Sequence, residues 1–210
     1  MTRFRALILD CDGVMFDSRE ANRAFYNAVL AHFGRPPLTA AQMAFAHQST
    51  AAEALEMLFG AGEGLRAARD FCRQLTYFPF IPLMEPEPHL TALLSRIRPA
   101  FLTGISTNRT DTMPHVLAHH GLSGFFDCVV TALDVPRPKP HPDSLEKAAA
   151  LLGLGPAQAI YVGDSPVDEK AARAAGMPFA AFGNPALEAE WHLTRLDEVE
   201  EILAGRRGGL

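Results

Sequence analysis

The chain has 210 residues, 48% of them hydrophobic and 20% charged, a balance that excludes intrinsic disorder. Its net charge is −5, and lysines occur only at positions 139, 147 and 170, so it lacks the basic footprint of a nucleic-acid binder. Three scattered cysteines (Cys11, Cys72, Cys128) make neither a disulfide framework nor a zinc site, and no apolar run approaches the roughly 18 residues of a membrane span, which together point to the cytoplasm.

The first apolar run, Ala6–Leu9, does not alternate and reads as a buried strand. Helix signals alone fill the next stretch, residues 17–83. One helix spans about 18–33 and stops at Gly34, with Pro36 and Pro37 behind it. A second begins at Thr39, and a third has Thr50 as its N-cap with Glu53 three residues on, a capping box. A fourth covers about 64–77, after which Pro79, Pro82, Pro86 and Pro88 mark a return. Four further strands follow at 100–106, 128–131, 159–162 and 178–182, with Gly104 interrupting the first of them. Helices at about 87–98, 111–121, 142–152 and 166–176 accompany them.

Strand and helix in alternation predict an α/β fold: a doubly wound, five-stranded parallel sheet of Rossmann-like type. The gap after the first strand is too long for one crossover. It predicts an all-helical insertion at 17–83, the sheet domain being 1–16 and 84–210. Half of the 18 aromatic residues lie in that insertion, either as its own core or, in part, as a pocket lining.

Ligands of open parallel sheets bind at the carboxyl ends of the strands. There the chain carries Asp10-Cys11-Asp12-Gly13, then Ser106-Thr107-Asn108-Arg109, then Lys139 among prolines, then Gly163-Asp164-Ser165-Pro166-Val167-Asp168. Asp10 and Asp12 share one face of extended chain and repel. With Asp164 and Asp168 they make four carboxylates at one edge, a set that calls for a hard cation such as Mg²⁺. Gly13 permits a sharp turn that aims neighbouring amides at an anion. Prolines 136, 138, 140 and 142 stiffen the loop around Lys139, which is either a solvated lysine or a holder of a phosphoryl oxygen. Thr107 is likewise either a plain strand-end residue or a hydroxyl donor to the same group. His115 and His119 have helical spacing without a third ligand and read as a solvated face.

The order DxDGV, a strand ending Thr107-Asn108, Lys139-Pro140, and GDSxxDxxAAxxAG resembles the haloacid dehalogenase superfamily, in its phosphoglycolate-phosphatase-like and β-phosphoglucomutase-like branch with a helical cap. The four motifs cover nearly the whole chain in the right order. The resemblance implies Asp10 as nucleophile and Asp12 as general acid, then base. It implies that Thr107 and the Asn108 amide hold the phosphoryl oxygens, while Lys139 orients Asp10 and neutralises charge. It places Mg²⁺ on the Asp10 carboxylate, the Asp12 carbonyl and Asp164, with Asp168 direct or through water. Asp17-Ser18 matches the hinge of the cap, whose loop reads the leaving group in this family; here that loop contains His47 and Gln48. The implied partner is a small phosphorylated metabolite, with no nucleic acid and no membrane, and the chain is expected as a monomer or weak homodimer.

Residue types separate the branches. The dehalogenases lack an acid at the position of Asp12, and phosphonatases need a cap lysine, absent from 17–83. β-Phosphoglucomutases carry a histidine where this chain has Asn22. The cap's usual glycine is missing from Phe45-Ala46-His47-Gln48-Ser49-Thr50. Phosphate monoester hydrolysis is the expected activity, with a phosphomutase and a non-catalytic binding protein as alternatives.

Overall fold

The computed structural model describes residues 4–206, apart from the side chains of His47 and Gln48. The chain opens with β1 (Ala6–Leu9), β2 (Phe16–Asp17), α1 (Arg19–His32), α2 (Ala40–Gln48), α3 (Ala51–Phe59) and α4 (Glu63–Leu75). It continues through β3 (Glu85–Pro86), α5 (Leu90–Ile97), β4 (Leu102–Ser106), α6 (Met113–His119), β5 (Cys128–Val130) and α7 (Asp143–Leu151). It ends with β6 (Ala159–Gly163), α8 (Pro166–Ala175), β7 (Phe179–Phe182), β8 (Trp191–Leu193) and α9 (Val199–Leu203).

Six strands form one parallel sheet in the order β5-β4-β1-β6-β7-β8, and β2 pairs with β3 separately. Taken by position in the chain, the sheet runs third, second, first, fourth, fifth, sixth, the doubly wound nucleotide-fold order with its reversal beside β1. All four residues of β1 are fully buried, as a strand covered on both faces requires. On one face Ala6, Ile8, Tyr161 and Phe179 pack with Leu145 and Ala148 of α7 and Ala171 and Ala172 of α8. Gly104 interrupts the apolar run of β4 because a Cβ there would lie 2.8 Å from Cys128 Sγ.

The sheet has six strands rather than the five expected. The additional strand, Trp191–Leu193, is short and carries an exposed His192, so it has no apolar run to announce it. It reaches the sheet through its backbone: Gly183 N–H donates to Leu193 O at 2.8 Å, and Ala180 to Phe182 pair with Trp191 to Leu193. β4 starts at Leu102 instead of residue 100, since Arg98, tied to Asp127 at 3.0 Å, holds a turn ahead of the strand.

The chain divides into two compact units, residues 18–85 and the remainder. The smaller unit holds α1 to α4 and has its own core of Tyr26, Val29, Leu30, Leu55, Leu58 and Phe59, with Phe25, Phe33 and Phe71 packed against it. Most of its aromatic rings are therefore core, and Phe45 and Phe78 are exposed. The expected capping box forms at Thr50 and Glu53, whose carboxylate accepts from Thr50 N–H at 2.8 Å, and a second one forms at Thr39 with Gln42. No helix among the described residues is long and apolar enough to cross a membrane.

Candidate active site

Register places the site. Leu9 pairs with Ile105 on one side and Val162 on the other, so Asp10 leaves β1 level with the ends of β4 and β6. Asp10 N–H still donates to Val162 O at 3.0 Å, which holds the aspartate at the sheet edge.

Lys139 is the hub. It is 2% exposed, and its Nζ lies 2.8 Å from Asp10 Oδ1, 2.6 Å from Asp168 Oδ1, 2.8 Å from Tyr161 Oη and 3.2 Å from Ser106 O. The solvated-loop reading of Lys139 is thereby excluded. Burial works against the ammonium, but Asp10 and Asp168 outweigh it and hold its pKa above the ordinary lysine value. Its backbone is gripped as well: Asn108 Oδ1 accepts from Lys139 N–H at 3.0 Å, and Asn108 Nδ2 donates to Lys139 O at 2.9 Å. The Asn108 side chain therefore serves the lysine loop.

Asp168 is fully buried with both oxygens engaged. Oδ1 accepts from Lys139 and from the Tyr161 hydroxyl at 2.6 Å; Oδ2 accepts from Ser165 N–H at 3.2 Å and from the Ser165 hydroxyl. Burial alone would raise its pKa, yet the lysine charge and these donors bring it below the usual carboxylate value. Asp168 is thus the counter-ion of Lys139, and a cation reaches it only in competition with these donors.

Asp164 and Asp10 differ. Burial, then the charges of Asp10 and Asp168, push Asp164 up to about 8. Burial raises Asp10 to about 7, with Lys139 opposing and Asp168 adding. The ligand oxygens of Asp10, Asp164 and Asp168 lie within 4.8 Å of one another. Three carboxylates around one ammonium leave an excess of negative charge on oxygen donors alone, and this set fits a hard divalent cation such as Mg²⁺. Gly13, at φ 79°, leaves the room that Asp164 occupies: a Cβ there would sit 2.0 Å from Asp164 Oδ2. Asn184 Nδ2 donates to Asp164 O at 3.0 Å and pins the loop.

The carboxylate of Asp12 stands outside that trio, contrary to the expected cluster of four. Both its oxygens accept from Arg109, Oδ2 from Nε and Oδ1 from Nη2, each at 2.7 Å. A guanidinium matches a carboxylate in plane and spacing and outcompetes a crowded anionic cluster. Thr107, 1% exposed, accepts from Arg109 N–H at 3.1 Å, so its own hydroxyl proton remains available to an anion. Cys11 between the two aspartates is buried, and burial followed by the Asp12 charge raises its thiol pKa well above the usual value, so it is inert filling.

Four residues of this constellation have no role that the sequence alone assigns. Tyr161 reads as strand filler and Ser106 as a strand end. Arg109 lies at the right edge without a motif of its own. Asn184 follows β7 in a loop without a charged motif. His115 and His119 are exposed and belong to no acidic or metal-ligating group among the described residues. The backbone at 47 and 48 is the last turn of α2, not a loop, and those two side chains lie outside the described residues.

A family profile for haloacid dehalogenase-like hydrolases matches residues 7–182. Hexitol phosphatase A of Escherichia coli is 32% identical over 96% of this chain and 91% of its own length. Fructose-1-phosphate phosphatase of the same organism is 31% identical over 83% of this chain and 94% of its own. A crystal structure of a HAD-superfamily hydrolase, subfamily IA, from Geobacter sulfurreducens superposes with a TM-score of 0.82 at 37% identity, covering 96% of this chain and 97% of that one.

Proposed function

The chain belongs to the haloacid dehalogenase-like hydrolases, and we propose that within this family it is a Mg²⁺-dependent phosphatase of small phosphate monoesters, working through an aspartyl-phosphate on Asp10. The observation that carries this reading is the buried Lys139 ammonium 2.8 Å from Asp10 Oδ1 inside an acidic trio. A carboxylate so held is aimed, and it faces a centre built to accept a further cation and a phosphoryl group.

In the first step an Asp10 oxygen bonds to phosphorus and the ester oxygen leaves with a proton from Asp12. In the second, a water oxygen bonds to phosphorus, its proton passes to Asp12, and the acyl-phosphate bond breaks to free Asp10 and inorganic phosphate. Thr107 and the Asn108 N–H donate to the phosphoryl oxygens, and Lys139 fixes the nucleophile. Asp10, the Asp12 carbonyl and Asp164 would hold Mg²⁺, which would supply positive charge against the phosphoryl oxygens and these carboxylates.

Relatives are named as hexitol, fructose-1-phosphate and phosphoglycolate phosphatases, and a primary alkyl phosphate of a small polyol, sugar or hydroxy acid is the class we assign. The mutase alternative needs a proton-transferring group at Asn22. That carboxamide cannot titrate, and it is held by Tyr77 Oη at 2.6 Å and Ser18 Oγ at 3.5 Å. The test is a panel of hexitol phosphates, fructose 1-phosphate, phosphoglycolate and nucleoside monophosphates, followed by phosphate release with Mg²⁺ and with chelator. Release from an alkyl phosphate that stops on chelation supports the reading. Isomerisation without release, or turnover in excess chelator, contradicts it.

A further inference from the structure

We propose that Arg109 is a positioning residue that aims the carboxylate of Asp12 at the ester oxygen of the substrate; this rests on the reading of Asp12 as the acid and base of the reaction. Three observations carry it.

The guanidinium is itself fixed. Arg109 N–H donates to Thr107 Oγ1 at 3.1 Å, Arg109 O accepts from Ala132 N–H at 2.9 Å, and Nη1 reaches Thr112 Oγ1 at 3.5 Å. The side chain is 9% exposed, so it is built into the wall of the site.

Asp12, by contrast, needs holding. It sits on a tight turn in which Gly13 N–H donates to Phe16 O at 2.8 Å and Met15 N–H to Cys11 O at 3.0 Å. Those bonds fix its backbone. Its side chain is 28% exposed, so the groups that hold it decide where it points.

The contact is a planar fork, two parallel N–H···O bonds of 2.7 Å. A fork sets both the direction and the plane of a carboxylate, which one point charge cannot do. It uses one lone pair on each oxygen, and a carboxylate has a second on each through which a proton can pass. Orientation errors of about 1 Å cost on the order of a hundredfold in such transfers.

The test exploits leaving groups. An alkoxide needs the proton that Asp12 delivers; p-nitrophenolate leaves without it. Because kcat/KM reports the steps up to departure of the leaving group, the second, water-dependent step does not obscure the comparison. Wild type, Arg109→Lys, Arg109→Gln and Asp12→Asn are assayed with Mg²⁺ on p-nitrophenyl phosphate and on the best alkyl phosphate among hexitol phosphates, fructose 1-phosphate and phosphoglycolate. Arg109→Lys keeps the charge and loses the fork; Arg109→Gln tests the same point should the lysine variant fold poorly. Both Arg109 variants are expected to lose about tenfold or more on the alkyl ester and much less on the aryl ester, within the span of acid catalysis. Asp12→Asn is expected to show the same bias more strongly.

Equal losses on both esters in the Arg109 variants, with the bias intact in Asp12→Asn, overturn the proposal and make Arg109 a binder of the phosphoryl group. Unchanged rates, or a gain on the alkyl ester, also overturn it. If Asp12→Asn treats both esters alike, the acid–base assignment fails and the proposal falls with it.

Discussion

Tyr161 shows how a residue with no visible motif comes to matter. Its ring packs in the sheet's core while its hydroxyl donates to Asp168 at 2.6 Å and accepts from Lys139 at 2.8 Å. Burial first, and then the neighbouring carboxylates, keep that phenol protonated. It therefore fixes where the ammonium stands between two carboxylates competing for it. Tyr161→Phe keeps the packing and loses the hydroxyl; kcat is expected to fall about tenfold with KM nearly unchanged, at a stability cost of about 1 to 3 kcal/mol for the orphaned partners. Steady-state kinetics beside a thermal melt checks this, and an equal loss in KM would mean that Tyr161 shapes the binding pocket instead. The aspartates were legible in sequence because charge at the end of a buried strand is conspicuous. Tyr161 was not, because a tyrosine in an apolar run looks like any other core residue until its hydroxyl is located. Asp12 and Arg109 illustrate the same limit: spacing put both at one edge, but it could not say that they pair with each other.

Elements put these groups in register. The turn after β1 depends on Gly13, whose φ of 79° and contact with the Asp164 carboxylate leave no room for a side chain. Gly13→Ala is expected to destabilise by at least about 2 kcal/mol, from the left-handed conformation and the displaced carboxylate, and to reduce turnover at least a hundredfold. A melting temperature and turnover near those of wild type would refute that account of the turn. In the helical unit, the Thr50–Glu53 capping box and the helix starts at Thr39 and Thr50 could be read from the sequence, since side-chain caps are local chemistry. The extent of α2 could not: it runs through Gln48, and only Ser49 separates it from the Thr50 cap. We propose that His47 and Gln48 contact the non-phosphoryl half of the substrate. His47→Ala combined with Gln48→Ala is expected to lower kcat/KM at least about tenfold, some 1.4 kcal/mol, on the best alkyl substrate and much less on p-nitrophenyl phosphate. Equal losses would assign the junction to closure or stability, and no loss would remove it from recognition. The sixth strand escaped sequence reading for the opposite reason to the caps. Three residues at a sheet edge, one of them an exposed histidine, are held by backbone pairing that leaves no pattern in side chains.

For the molecule as a whole, strand and helix in alternation announced the parallel sheet, and a gap too long for a single crossover called for an insertion, expected at 17–83; the order of the strands in the sheet left no mark in the run lengths. The charge excess at the sheet edge has a global consequence. Burial first, and then neighbouring carboxylate charge, raise Asp10 and Asp164, so a cation bound to their ionised forms would favour the folded state. Millimolar Mg²⁺ is expected to raise the melting temperature reversibly, with chelator restoring the lower value, and Asp164→Asn is expected to abolish the response. A melting temperature indifferent to Mg²⁺ would remove the cation from this cluster.

The nucleophile is the point on which every other role depends. Asp10→Asn is nearly isosteric, and its amide cannot bond to phosphorus. The decisive measurement is phosphate release by purified Asp10→Asn protein on the best substrate, beside a melt showing that the fold is retained. The account predicts no release above background from a folded variant. A folded variant that keeps even a tenth of wild-type turnover would show that Asp10 is not the group that attacks phosphorus.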